Sequence, residues 1–241
     1  MKDARMPDAT IPQGAPHAVV TGASSGIGEA IARRLLADGW RVTGLSRRAG
    51  GIAHPAFTHR EADLRSEPSI LAAAEGLVAD AFVHAAGLMG TRPLGELEAA
   101  TGAGMWQVHV QAGSLLADRL LHGMGGAGRR GGRIVLVGSR TATGAAGRSQ
   151  YAATKAALTG LARSWAAELA PRGITVNVVS PAATDTPMLA DPARASTAPK
   201  LPPIGRLIRP VEVAATVAFL LSEDAAAITG QNIVICGGSS L

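Results

Sequence analysis

Tyr151 and Lys155 stand four residues apart in the run Tyr151-Ala152-Ala153-Thr154-Lys155. On a helix that spacing puts both side chains on one face. A helix is expected because Leu158, Leu161, Trp165 and Leu169 recur at three- and four-residue steps, and Pro171-Arg172-Gly173 ends it. A free phenol titrates near ~10 and is a poor base at neutral pH. A neighbouring ammonium favours the phenolate, so a tyrosine so placed can pass a proton to or from an alcohol oxygen. Ser139 lies twelve residues upstream of Tyr151, just after the apolar run Ile134-Val135-Leu136-Val137. A serine at a strand end can hydrogen-bond the same substrate oxygen. Tyr-x-x-x-Lys alone is common on amphipathic helices, so the chemistry depends on what surrounds it. Tyr151 is the only tyrosine in the chain.

The elements that would carry such a site alternate along the chain. His17 to Val20 reads as a short strand that runs into Thr21-Gly22-Ala23-Ser24-Ser25-Gly26-Ile27-Gly28. A helix with Ile31, Leu35 and Leu36 on its apolar face follows. Gly22, Gly26 and Gly28 then sit at a strand-to-helix turn. There they permit a tight bend and a close approach of backbone to a pyrophosphate, whose charge meets the helix N-terminus. Ser24, Ser25 and Ile27 belong to the same cradle. Strand two, Arg41 to Leu45, ends where a dinucleotide fold meets the adenosine ribose. An acidic residue there would select NAD. This chain has Ser46-Arg47-Arg48, whose guanidiniums suit a 2′-phosphate, and the expected cofactor is NADP, with NADPH preferred over NADH.

Only seven residues separate Arg48 from Ala56, so the crossover to strand three, Ala56 to His59, is expected to be a loop without a helix. Ile70 to Val78 reads as a short helix and Ala81 to His84 as strand four, ending in Ala85-Ala86-Gly87, small residues able to lie flat against a ligand. Met105 to Leu121 reads as a helix with Met105, Val108, Leu115, Leu116 and Leu120 inward, and Gly123 to Gly132 as a flexible link. Strands at Arg133 to Val137 and Ile174 to Val178 flank the Tyr151 helix. Residues 181–203 read as a long irregular segment of the kind that covers a site. A helix at Val211 to Leu221 and a strand at Ile233 to Cys236 close the chain. Strands alternating with helices predict an α/β, Rossmann-like, doubly wound parallel sheet in a single domain over residues 17–241, behind a disordered tail at 1–16.

Composition narrows the function. At 241 residues the chain can bury a sizeable core, and with 47% hydrophobic but 3% aromatic residues that core is aliphatic. One cysteine, Cys236, excludes an intrachain disulfide and a metal–cysteine cluster, and no metal is expected. The polar, proline-bearing N-terminus lacks a signal-peptide core, and no apolar run reaches the ~18 residues of a membrane span. A cytoplasmic location and no membrane partner are therefore expected. The net charge of +5 is densest at Arg129-Arg130-Gly131-Gly132-Arg133. Without aromatics nearby to stack bases, that stretch is expected to be a solvated loop and no nucleic acid is expected to bind.

Over nearly all of positions 17–241 the chain resembles the short-chain dehydrogenase/reductase family. The turn Thr21-Gly22-x-x-x-Gly26-x-Gly28 is similar to its cofactor motif, and Asp63-Leu64 to its adenine-binding pair. Ser139, Tyr151 and Lys155 match its catalytic residues. Pro181 to Thr186 is similar to the segment that contacts the nicotinamide carboxamide, and Thr229-Gly230 and Gly237-Gly238 to its C-terminal signature. The resemblance implies Tyr151 as acid/base, Lys155 on the nicotinamide ribose and lowering the tyrosine pKa, and Ser139 orienting the carbonyl. It places Thr184 and Thr186 on the carboxamide. It also implies a homo-oligomer, dimer or tetramer, paired through helices near 105–121 and 151–170.

The departures from the family pattern are specific. His84 fills the place of an asparagine at the end of strand four and reads as a hydrogen-bonded structural residue. His109 fills that of the asparagine that holds a water linked to the active-site lysine. It reads either as a neutral proton relay, a fourth member of the catalytic set, or as packing. Pro181-Ala182 replaces Pro-Gly, and Cys236 an acidic residue. The serine-to-tyrosine spacing is one residue shorter than usual. Leu88, Met89, Arg140, Gln150 and residues 187–203 are expected to frame a mostly apolar substrate site, with Arg140 and Gln150 its polar contacts beside Ser139 and Tyr151. The expected activity interconverts a small carbonyl compound, ketone or aldehyde, and its alcohol. The competing readings are a nucleotide-binding regulator that lost chemistry and an epimerase or dehydratase.

Overall fold

The computed structural model describes residues 14–125, 131–189 and 201–241. Seven parallel strands lie in the order β3-β2-β1-β4-β5-β6-β7. They are β1 His17–Thr21, β2 Arg41–Ser46, β3 Phe57–Glu61, β4 Ala81–His84, β5 Arg133–Val137, β6 Thr175–Pro181 and β7 Asn232–Ile235. The order reverses between β1 and β4, and in such sheets a crevice opens at the carboxyl ends of those two strands. β1, β4, β5 and β6 are buried along their whole length, as strands covered on both faces must be.

The helices supply the two covers. α1 Gly26–Ala37 and α6 Pro210–Leu221 pack on one face, with Ile31, Leu35, Val213 and Val217 in the core. On the other face lie α2 Glu67–Ala74, α4 Ala112–Leu121 and α5 Ser149–Leu169, which bring Ile70, Leu116, Leu120 and Leu158 to Phe82 and Ile134. α5 turns Tyr151, Ala152, Thr154, Lys155, Leu158, Ala162, Ala166 and Leu169 inward. The small Ala162 and Ala166 let it approach the sheet, while Leu161 and Trp165 flank that stripe half-buried. Gly173, at φ 68, supplies the left-handed step after α5 that a side chain would strain.

The sheet, the helix-free β2–β3 crossover and the Tyr151 helix stand where the sequence puts them; several boundaries move. The helix before β5 starts at Ala99, not Met105: α3 Ala99–Trp106 precedes a π-helical turn, Gln107–Gln111, and α4. Only Met105 of α3 is buried, so its first turns carry no apolar period to read. α2 begins at Glu67, capped by Ser66 Oγ, which accepts the Ser69 N–H, and ends before Val78. β6 runs on to Pro181. Residues 1–13 of the expected tail lie outside the described residues, but Ala15 is buried and Pro16 O accepts the Arg41 N–H at 2.8 Å, so order begins before His17.

The basic stretch is also corrected in part. Residues 126–130 lie outside the described residues. Arg133, expected in a solvated loop, is 4% exposed, and its Nη1 donates to the carbonyls of Gly131 and Gly132. It serves the entry to β5. No helix among the described residues is long and apolar enough to cross a membrane.

Candidate active site

Two adjoining cavities open at the carboxyl ends of the strands. The first, about 440 Å³, is lined by Gly22, Ser24, Ser25, Gly26, Ile27 and Gly28 of the glycine turn. Ser46, Arg47, Arg48, Asp63 and Leu64 line its far end, and Ala85, Ala86 and Gly87 the end nearest the sheet centre. The glycines are there for space. Gly22 has φ 70, and a Cβ on it would lie 2.9 Å from Ala86 Cα. A Cβ on Gly28 would strike the Gly22 carbonyl. The turn is therefore pressed against its neighbours, with backbone exposed to the cavity, the arrangement that holds a pyrophosphate.

Arg47 and Arg48 are exposed at the cavity lip. Arg65 joins them, a residue the sequence reading missed. Its backbone N–H donates to Asp63 Oδ1 at 3.0 Å and its Nε approaches the same oxygen at 3.4 Å. The backbone hydrogen bond from Arg65 holds the Asp63 carboxyl below the usual range, helped by the side-chain bond and charge of Arg65 and by the charge of Arg47. The signal was available as three arginines flanking two consecutive strand ends.

The second cavity, about 560 Å³, shares Ile27, Ala85, Gly87, Leu88, Thr186 and Met188 with the first. Ser139, Tyr151 and Lys155 all line it, as do Pro181 and Thr184. Ser139 follows β5 and accepts the Thr141 N–H at 3.2 Å, while the two hydroxyls lie 2.9 Å apart. Thr141, which the sequence reading also missed, thus orients Ser139. Lys155 Nζ donates to Val137 O at 2.8 Å and lies 5.9 Å from the centre of the Tyr151 ring. Burial pushes the Lys155 amine down to about 7. Thr184 donates to Ala182 O, and Thr186 to Thr184 O, folding the segment after β6 over Gly26.

The two histidines are closed into networks. His84 Nε2 donates to Val108 O at 2.9 Å, a carbonyl in the π-helical turn. Its Nδ1 lies 3.0 Å from Thr21 Oγ1, which accepts the N–H groups of Ala85 and Ala86 at 3.0 Å each. That leaves the threonine proton for Nδ1. Burial, then the charge of Lys155, pushes the His84 ring down to about 4. His109 is fully buried, with its ring edge-on to Tyr151 at 5.7 Å. Its Nε2 accepts the Leu88 N–H at 3.0 Å, so Nδ1 carries the proton and donates to Thr154 Oγ1 at 2.8 Å. Burial, and after it the charges of Lys155 and His84, hold the ring neutral, its pKa far below the ordinary histidine value. Both nitrogens are therefore occupied by protein, and a relay through His109 would require one of these bonds to open.

The expected substrate frame changes in part: Pro187 lines the first cavity instead, and residues 201–203 line neither. Leu88, Met89, Arg140, Met188 and Leu189 line the second cavity, and residues 190–200 of the expected cover lie outside the described residues. Gln150 does not line it; its Nε2 donates to Glu98 O at 3.2 Å, tying α5 to the start of α3. Arg148 lines the cavity instead.

The family model for the enoyl-(acyl carrier protein) reductase group matches residues 22–240. A 3-oxoacyl-(acyl-carrier-protein) reductase of Salmonella typhimurium is 36% identical over 236 residues, covering 92% of this chain and 96% of its own. A cis-4-hydroxycyclohexanecarboxylate dehydrogenase of Sinomonas cyclohexanicum is 39% identical over 240 residues, covering 92% and 95%. Among solved structures, a 3-ketoacyl-(acyl-carrier-protein) reductase of Brucella melitensis complexed with NADH superimposes with a TM-score of 0.84 at 30% identity, covering 94% of this chain and 98% of its own. An actinorhodin polyketide ketoreductase with NADPH gives 0.85 at 30% identity, covering 96% and 99%. The family model and the reductase relatives, on a doubly wound fold, define the class as oxidoreductase. The chain belongs to the short-chain dehydrogenase/reductase family.

Proposed function

We propose that this protein is an NADP(H)-dependent oxidoreductase that interconverts a carbonyl compound and its alcohol. The observation that carries the reading is the meeting of Ser139, Tyr151 and Lys155 in a cavity continuous with the glycine-turn cleft. Relatives and neighbours whose names describe ketoacyl reductases and complexes with NADH or NADPH support the same chemistry.

The residues present fit a nicotinamide dinucleotide. Gly22, Gly26 and Gly28 would hold the pyrophosphate, Arg47 and Arg48 a 2′-phosphate, and Asp63-Leu64 the adenine. Pro181, Thr184 and Thr186 would border the nicotinamide and Lys155 its ribose. The bound nicotinamide supplies or accepts the hydride. In the reducing direction Ser139 Oγ donates a hydrogen bond to the carbonyl oxygen, held for it by Thr141. As hydride reaches the carbonyl carbon the C=O π bond breaks, and Tyr151 gives its phenolic proton to the oxygen. The protonated Lys155 beside the ring stabilises the phenolate left behind.

Tyr151→Phe removes the donating oxygen and keeps the ring. NADPH oxidation with a panel of ketones and aldehydes should fall by about 10²-fold or more, the usual contribution of a positioned acid. NADPH binding should persist. A variant with near-normal kcat would overturn the mechanism, and a wild-type protein that oxidises no NADPH with any carbonyl would overturn the activity.

A further inference from the structure

The cavity at Tyr151 carries a charge that carbonyl reduction alone does not require. Arg140 follows Ser139 directly, and Arg148 is the N-cap residue of α5, three positions before Tyr151. Both line the cavity and both are partly buried. No aspartate or glutamate lines it among the described residues. Several other arginines have partners: Arg33, Arg34, Arg92 and Arg206 each pair with a carboxylate at 2.7 Å. The guanidiniums of Arg140 and Arg148 make no hydrogen bond or ion pair with another described residue. A guanidinium drawn partly out of water without a counter-charge loses hydration that an anion can restore.

We propose that the substrate carries a carboxylate, so that the protein interconverts an oxo acid and a hydroxy acid, with Arg140 and Arg148 binding that carboxylate; this rests on the carbonyl–alcohol chemistry proposed above. Two planar guanidiniums match the two oxygens of one carboxylate. The wall also carries Thr141, Thr184, Thr186 and Ser239, but Met89, Ala145, Ala146 and Leu189 give it an apolar part, which suits a hydrocarbon frame between the acid and the reacting carbonyl. The cavity of about 560 Å³ also contains the nicotinamide end of the cleft, so the frame must be compact: a ring or a short chain.

The test compares matched substrates with the full chain and NADPH. 4-Oxocyclohexanecarboxylate and its methyl ester differ only in the charge. Acetoacetyl-coenzyme A and the acetoacetyl thioester of N-acetylcysteamine differ in the phosphates of a carrier. The expected result is a kcat/KM for the acid at least ~10-fold above that for the ester, carried mainly by KM, and little discrimination within the thioester pair. Arg140→Met and Arg148→Met should each lower the acid-to-ester ratio by ~10-fold. The ratio is internal to each variant, so partial loss of folded protein does not imitate the effect. Equal use of acid and ester, or a ratio unmoved by both variants, overturns the carboxylate proposal while leaving the oxidoreductase reading intact. Discrimination confined to the thioester pair also overturns it and assigns the arginines to a carrier phosphate. Failure to reduce the acid while another carbonyl of the panel is reduced overturns the carboxylate proposal alone, and failure with every carbonyl removes both readings.

Discussion

His109 Nε2 accepts the backbone N–H of Leu88 at 3.0 Å, across 21 positions of sequence. The bond pins the loop after β4, which lines both cavities, to the π-helical turn. Through Nδ1 the same ring reaches Thr154 on α5, and Thr154 Oγ1 donates to the Tyr151 carbonyl. His109 thus joins three segments whose places the chemistry proposed for Tyr151 depends on. We expect His109→Ala to lose about 2–4 kcal/mol of stability, from a buried N–H left unpaired and a cavity left unfilled. His109→Asn should keep much of the activity. Because the ring stays neutral far below its ordinary pKa, the pH–kcat profile of the asparagine variant should match that of wild type above pH 5. A lost acidic limb in that variant would restore the relay role.

His84 makes stability depend on pH. Its folded pKa of about 4 lies below the ordinary value near 6.5, so the unfolded chain takes up the proton first as pH falls. The contribution is complete above about pH 6.5 and is lost as pH drops toward about 4. A shift of that size corresponds to about 3 kcal/mol. An asparagine can also accept from Thr21 and donate to Val108 O without titrating. Urea unfolding of His84→Asn between pH 7.5 and 4.5 should therefore show a flatter loss of stability than wild type. His109 and His17, whose pKa values are also lowered by burial, should leave the remaining slope in both proteins. Parallel curves would show that His84 does not change its protonation on unfolding.

Coenzyme choice tests the other end of the cleft. Arg47 and Arg48 sit at the lip where the adenosine ribose of a dinucleotide would lie, with Arg65 across from them on Asp63. Charge-assisted contacts are worth ~1.5–3 kcal/mol each, and solvent reduces that for side chains this exposed. The double variant Arg47→Ala, Arg48→Ala should raise KM for NADPH by ~10- to 100-fold and KM for NADH by no more than a few-fold. Equal increases for both coenzymes would remove these arginines from a 2′-phosphate site.

The glycine turn was legible because its constraint is steric: Gly22 and Gly28 have no room for a side chain, and that leaves a fixed spacing in the sequence. The buried strands were legible because unbroken apolar runs have few other uses. The first turn of α5 was not. Arg148, Gln150 and Tyr151 lie within four residues, and which of them faces the cavity depends on where the helix begins and on what α3 offers as a partner. α3 itself carries no apolar pattern, so the carbonyl of Glu98 that captures Gln150 could not be foreseen. The histidines were visible as substitutions, but their roles depend on Thr21, Leu88, Val108 and Thr154, brought together from four separate segments.

In the proposed mechanism Lys155 sets function against stability within one side chain. Its amine is buried and bonded to Val137 O, with a pKa brought down to about 7 by desolvation alone. The unfolded lysine titrates near ~10.4, so between about pH 7 and 10.4 the unfolded chain binds more protons than the folded one. Stability should therefore rise with pH across that window, and at neutral pH the lysine costs the folded state several kcal/mol. Lys155→Met keeps a similar volume and removes the amine, at the expense of about 1–3 kcal/mol for an unsatisfied Val137 carbonyl. The expected balance at pH 7.5, without coenzyme, is a variant more stable than wild type by roughly 1–3 kcal/mol. Its kcat should fall by ~10²-fold or more, because no cation remains beside the Tyr151 phenolate. Urea unfolding and steady-state kinetics on the same preparation read both effects. A variant that is less stable at pH 7.5 would show that Lys155 is not desolvated at a cost, and one that is fully active would remove it from the chemistry.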